Sequence, residues 1–402
     1  MKSFPLLCLA SLMLAGAAQA QDLVQWRGNR TGVYTETGLL KSWSEGQPEL
    51  LWHYDGLGEG HSSVAISGSK IYLAGMTGST GYVHVLDMAG KLLNKKIYGA
   101  EWDKNYNGTR GTITASEGKL YLISGMGDIV CMAENSLDVV WRKNMFTDFD
   151  GGNIQWGICE SPLIVGNKLI ATPGGAKNNV VALDKNTGAL LWTSSGEGEK
   201  SAYCSPLYVD DVELPQVVTM TAKHIVGIDI ATGSKLWSYE QTNRWSVHPN
   251  IPVYADNMLL CTSGYGQGSV MLRLTNGGRD VEKVWFAPQL DSRIGAMLKI
   301  GDYAYGSGDN NKFWFCVDWK TGDIKYRDPA LGIGNVIADD GMLYCYSDRG
   351  ELALVRATPD KFDIVGRTKI TLGTEQHWAH PVIHKGVLYL RHGDTLMAYK
   401  IR

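Results

Sequence analysis

Apolar and polar positions along this chain alternate in short bursts and never settle into the 3.6-residue period of a helix. One burst pattern recurs as an apolar stretch, a short polar turn and a β-rich stretch. It reads SSVAISGSKIYLAG, GTITASEGKLYLIS, ESPLIVGNKLIATP, CSPLYVDDVELPQVVTM, NIPVYADNMLLCTS, GAMLKIGDYAYGSG, GNVIADDGMLYCYS and AHPVIHKGVLYLRH. A second pattern follows it: ALDKNTGALLW from Ala182, GIDIATGSKLW from Gly227 and CVDWKTGDIKY from Cys316. Each of these is a strand, a turn and a strand. The Asp can bond amides across the turn, the Gly supplies positive φ, and the closing Trp or Tyr can dock on a neighbouring unit.

One anchor per unit (Val64, Ile113, Pro162, Pro206, Pro252, Met297, Val336 and Pro381) gives gaps of 49, 49, 44, 46, 45, 39 and 45 residues. Eight units of about four strands each predict an all-β, eight-bladed β-propeller. The eighth unit stops at Leu396–Ile401 without an outer strand, whereas Glu49–Tyr54 reads ELLWHY, ending like the third unit. An open sheet edge is a liability. The N-terminal strand at 49–54 is therefore predicted to complete the last blade.

Composition fits this reading: 48 glycines and 13 tryptophans in 402 residues, with 44% hydrophobic and 20% charged positions. That excludes a disordered or coiled-coil chain. The net charge of -3 and the absence of a basic run argue against nucleic acid as a partner. Residues 1–20 read as a signal peptide: Lys2, an apolar stretch from Phe4 to Ala18, and Ala18-Gln19-Ala20 as the cleavage pattern. The mature chain is expected to start at Gln21, as one propeller over 21–402, periplasmic or secreted, with no membrane span and monomeric. Cys8 lies inside the apolar stretch, far from Ala20, and is not read as a lipid-attachment site. Six further cysteines remain, without C-x-x-C spacing. They read as small buried hydrophobes; if one pair bridges, it is Cys159 with Cys204, which occupy near-equivalent places in successive repeats.

The pattern A-x-D-x-x-T-G-x-x-x-W, complete at Ala182, Asp184, Thr187, Gly188 and Trp192, resembles the tryptophan-docking repeat of pyrroloquinoline-quinone (PQQ)-type propellers. QWRGNRTGVY at 25–34, GLLKSW at 38–43, GLGEGHSSVAISGSKIY at 56–72 and WGICESPLIVGNKL at 156–169 extend the resemblance to the PQQ-binding-like β-propeller repeat proteins. The resemblance implies an exported eight-bladed propeller, and little about activity. Two related groups differ from this chain. Quinoprotein dehydrogenases bind PQQ and calcium on the propeller axis over a vicinal disulfide, and no Cys-Cys occurs here. The lipoprotein scaffold of the outer-membrane β-barrel assembly machine binds partner proteins and no quinone. PQQ and calcium are thus cofactors by the family's name alone.

Loops leading from an outer strand into the next inner strand surround one mouth of a propeller's channel, where function concentrates. These loops carry His61; Trp102, Tyr106 and Arg110; Gln155, Trp156 and Glu160; Lys200 and Tyr203; Arg244, Trp245, His248 and Asn250; Arg293; Asn335; and Gln376, His377, Trp378 and His380. His61, His248, His377 and His380 are the candidate acid–base or metal-binding groups. No metal site is assigned to them. His377 and His380, three apart, would face opposite ways. Arg110, Trp156, Glu160, Tyr203, Trp245, Asn250, Arg293 and Trp378 are the candidate ligand-binding set. The arginines suit planar anions and the indoles flat rings, while docking between blades is the competing role for the aromatics. Glu160 reads more naturally as an ion-pair partner of Arg110 or Arg293 than as a lone base.

Three functions follow. The first is a binding or scaffold propeller, holding a small molecule or glycan, or periplasmic proteins, at one mouth. The second is a carbohydrate-active enzyme using His, Arg and Tyr for lyase-type elimination from a uronic acid. The third is a PQQ-dependent dehydrogenase.

Overall fold

A computed structural model describes residues 22–43 and 47–402. The expected signal peptide and the start at Gln21 lie outside the described residues. Eight four-stranded antiparallel sheets follow one another, with blade one spanning residues 65–100, two 114–144, three 163–194, four 207–240, five 253–287, six 298–328 and seven 334–369. Blade eight combines Val382–His384, Val387–His392 and Thr395–Lys400 with the strand Glu49–Tyr54. Tyr54 pairs with Leu396, Trp52 with Ala398 and Glu49 with Lys400. The expected closure of the ring by residues 49–54 is therefore what the structure shows. Among the described residues no helix is long and apolar enough to cross a membrane.

The turn chemistry explains the blade. Asp184 accepts the amides of Asn186 and Thr187 at 2.9 Å each, and Gly188 takes φ +72°. Only a residue without Cβ enters that region without strain. The same glycine is a seat for the preceding blade. The Trp141 indole donates to Lys185 O at 2.9 Å, and a Cβ on Gly188 would lie 2.8 Å from the ring. Trp192 repeats this on Ile230 O and Gly233, Trp285 on Trp319 O and Gly322, and Trp52 on Met88 O and Gly90. Trp52 thereby locks blade eight to blade one. Trp237 departs, donating to Gln216 Oε1 at 2.6 Å within its own blade. Between blades the inner three strands bury their apolar faces. Ala74, Val83 and Val85 of blade one, for example, meet Ile113, Leu120 and Leu122 at blade two in one cluster.

All six described cysteines are unpaired. No Cys159–Cys204 bridge forms. Cys204 is buried with Sγ 3.4 Å from the carbonyls of Ser205 and Asn250, while Cys159 faces the channel mouth.

The segment ahead of the closing strand has a task that the repeat pattern did not announce. It crosses the channel beneath the mouth. Leu23 bridges Ile66 of blade one, and Val24 O accepts Ala115 N of blade two. Arg30 donates to Pro162 O at 2.6 Å and Pro206 O at 2.9 Å, at blades three and four. Arg27 reaches Val336 O at blade seven and His380 at blade eight. The arm then leaves between blades seven and eight, with Tyr34 N on Ala338 O and Leu40 N on Ile401 O.

Candidate functional site

The loops before each inner strand, together with turns between the second and third strands, meet at one end of the ring. There they enclose a cavity of about 340 Å³. Its aromatic wall is Trp26, Tyr106, Trp156, Tyr203, Trp245, Tyr265 and Trp378. Its polar groups are His61, Arg110, Arg293 and His380, with Ser161, Ser205 and Cys159 deeper in. The rings form a chain of contacts. Trp378 lies 5.1 Å from His61 and 5.3 Å from Tyr106; Trp156 lies 6.2 Å from both Tyr203 and Trp245. Trp156 N donates to the Tyr203 hydroxyl at 3.0 Å, which fixes those two loops together. Trp245 and Tyr106 are 44% and 49% exposed, so the wall opens to solvent on their side.

Of the expected ligand-binding set, Arg110, Trp156, Tyr203, Trp245, Arg293 and Trp378 thus converge on one cavity, and of the expected acid–base set His61 and His380 do. The rest lie elsewhere. His248 is fully buried behind the wall with Nε2 3.3 Å from Ala222 O. His377 stacks on His392 at 3.6 Å and meets the Tyr346 hydroxyl, facing away from His380. Asn250 donates to the carbonyls of Thr262 and Ser292. Glu160 is buried and accepts Thr172 N at 2.8 Å. Its facing cation is Arg30 of the arm, not Arg110 or Arg293. Burial pushes Glu160 up to about 7 against that attraction.

The electrostatics of the wall are one-sided. Burial, then the guanidiniums of Arg110 and Arg391, hold His61 down to about 3. Burial and Arg27 hold His380 well below its usual range, and its Nδ1 lies 2.8 Å from Arg27 Nη1. The Arg27 guanidinium donates and has no lone pair to accept with, so Nδ1 is the acceptor and His380 is neutral. Both histidines are uncharged at neutral pH. Arg293 pairs with Asp309 at 3.0 Å and faces Asp348. Arg110 bonds only the carbonyls of Asn105 and Tyr106, and its Nε finds no acceptor among the described residues. The acid nearest in effect, Glu101, is spent on the Tyr98 hydroxyl and the amides of Trp102 and Gly125, and burial pushes it up to about 7. Among the described residues no carboxylate lines the cavity.

Two aromatic residues of the wall escaped the sequence reading. Tyr265 sits in the turn between Met258–Ser263 and Gly268–Thr275. Counting strand reversals places that turn at the same end as the loops, a signal the sequence contained. Trp26 comes from the arm, and no repeat periodicity points to it.

Comparison with known proteins agrees with this architecture. The family model for outer membrane protein assembly factor BamB matches residues 125–359. The outer membrane protein assembly factor BamB of Shewanella oneidensis is 25% identical over 252 residues, 61% of this chain and 59% of that protein's length. The crystal structure of BamB from Moraxella catarrhalis superposes with a TM-score of 0.65 at 15% identity, over 88% of this chain and all of that one. The quinohemoprotein alcohol dehydrogenase of Comamonas testosteroni superposes with a TM-score of 0.67 at 12% identity, over 96% of this chain and 81% of that one. At these identities the two structures speak for the fold. The match of the family model over more than half of the sequence does more: this chain belongs to the family of PQQ-repeat β-propellers described as outer membrane protein assembly factor BamB.

Proposed function

We propose that this protein is an exported binding module that holds its ligand or partner at the aromatic mouth of the ring. The observation that carries the reading is the convergence of seven aromatic side chains from the arm and five blades on one cavity. Partly exposed indoles and phenols supply large contact area at low conformational cost. The relatives named for outer membrane protein assembly support a place beside other exported proteins, as a scaffold within such an assembly.

Neither enzymatic reading has comparable support. For lyase chemistry the wall offers neutral His61 and His380 beside Arg110, but no acid of its own. For a quinone, the fit is poor. PQQ carries three carboxylates, against one guanidinium in the wall that lacks an acidic partner. For its calcium, among the described residues no three His, Cys, Asp or Glu side chains group closely enough to hold a metal. No step is assigned to either.

The test is a photo-crosslinking amino acid at position 245 in the wall and, as control, at position 190 on the outer strand, in a Gram-negative exporting host. Adducts specific to position 245, on a mature chain whose intact mass starts at Gln21, are expected. Equal labelling at both positions, or a retained leader, overturns the reading.

A further inference from the structure

We infer that the mouth selects a small monocarboxylate carried on a ring. This deepens the binding reading above and rests on it. Three observations converge. Among the described residues the wall is lined by cations and neutral groups with no carboxylate, in a chain whose net charge is -3. Within it, the Arg293 charge is met by Asp309 at 3.0 Å, which leaves Arg110 as the one guanidinium of the wall without an ion-pair partner among the described residues. Arg110 is also half-buried, so part of its charge is withdrawn from water. One uncompensated planar cation matches one planar two-oxygen acceptor.

His61 supplies the second, independent pointer. The residue is 9% exposed and lines the cavity, neither ring nitrogen has a partner at full hydrogen-bonding geometry among the described residues, and the Gln376 backbone is the one group that faces its ring as a partner. A buried imidazole needs a hydrogen bond at each nitrogen or loses free energy. Held neutral between Arg110 and Arg391, it carries one N–H to donate and one lone pair to accept. A carboxylate oxygen on Arg110 takes the donor once the ring turns from the Gln376 backbone towards the cavity. Trp378, 5.1 Å from the His61 ring, and Tyr106 beside it offer flat faces for a ring attached to that carboxylate. The wall itself is poor in the Asp, Asn and Gln acceptors that ring hydroxyls need. At about 340 Å³ the cavity lies at the small end of ligand sites, ~300–1,000 Å³. Lys104 and Lys200 on the adjoining groove add attraction on approach.

The flat carboxylate has two sources, an aryl acid or a uronic acid, and the experiment separates them. Calorimetric titration of the full mature chain uses two shape-matched pairs that differ in charge: 2-naphthoate against 2-naphthamide, and glucuronate against glucose. The acid of one pair is expected to bind at least about tenfold more tightly than its neutral twin, the loss typical of one charge-assisted pair. Arg110→Gln should abolish that preference, bringing the acid's affinity down to that of its neutral twin. Arg110→Lys should restore only part of it, because an ammonium does not present the fork. His61→Phe should weaken the acid more than the neutral ligand and so narrow the preference. Preference in the first pair assigns an aryl acid, in the second a uronic acid. Equal affinities within both pairs, or a preference that survives Arg110→Gln, overturn the inference. If none of the four binds while position 245 still crosslinks a protein, the carboxylate selectivity fails and the binding reading stands.

Discussion

His248 shows how one side chain sets a pH window. It is buried against Ala222 O, and burial holds its imidazole down to about 4, with Glu199 pulling the other way. In the unfolded chain its pKa is about 6.5. Below that value the unfolded state takes up a proton that the folded state refuses, so folding stability falls as pH drops from about 6.5 towards 4. Above 6.5 the group contributes no slope. Glu101, Glu160 and Asp339, each pushed up to about 7 by burial, act in the opposite sense between roughly 7 and 4.5. The clean readout is therefore a difference. His248→Gln should flatten the stability–pH curve by up to about 1.4 kcal/mol per pH unit between pH 6.5 and 4, and change nothing in slope above pH 7. Denaturant titrations across that range would settle it, and parallel curves for both proteins would refute the assignment. The same residue marks the limit of reading a site from sequence. His248 and His61 both lie in loops before an inner strand, yet one backs the wall and the other lines it. Loop position is legible in a repeat; which way a loop side chain turns depends on neighbours on other blades, Ala222 for His248 and Trp378 for His61.

At the scale of the element, the turn between the third and fourth strands was the most legible part, because each of its residues has a local reason. Asp184 orders the turn, Gly188 accepts positive φ, and Trp141 needs the bare backbone beneath it. Gly188→Ala combines a left-handed alanine with a Cβ 2.8 Å from Trp141. It should cost about 1–3 kcal/mol in denaturant unfolding, and an unchanged midpoint would show that docking does not couple blades two and three. The motif also hid a device that periodicity does not reveal. Every blade has a register shift at the start of its outer strand, as between Ala182 and Leu183 against Trp192 and Leu190. Such bulges twist the edge and interrupt its hydrogen-bond ladder, which discourages pairing with another molecule's strand. They also turn out apolar residues, including Leu93, Val140 and Leu191, that strict alternation would have placed against the blade.

For the whole molecule, ring and channel are closed by two different parts of one N-terminal segment. Glu49–Tyr54 completes the eighth blade, which the missing outer strand announced. Residues 22–34 tie inner strands on opposite sides of the axis, which nothing periodic announced, since the arm belongs to no repeat. Arg27 and Arg30 are 1% and 3% exposed, and both adopt positive φ. Buried cations in a backbone region that side chains resist persist only where their partners over-determine them. Here the partners are carbonyls of Pro162, Pro206 and Val336, together with His380. Deleting 22–34 while keeping the closing strand separates the two tasks. Hydrogen exchange should remain slow along Thr395–Lys400, where Glu49–Tyr54 still pairs, and become faster at the inner strands of blades three, four and seven. The mouth loses Trp26 and the guanidinium that orders His380, so binding there should weaken even with Arg110 intact. If exchange at the inner strands is unchanged, the arm is a passenger in the channel; if Thr395–Lys400 also opens, crossing and closure are one cooperative latch instead of two.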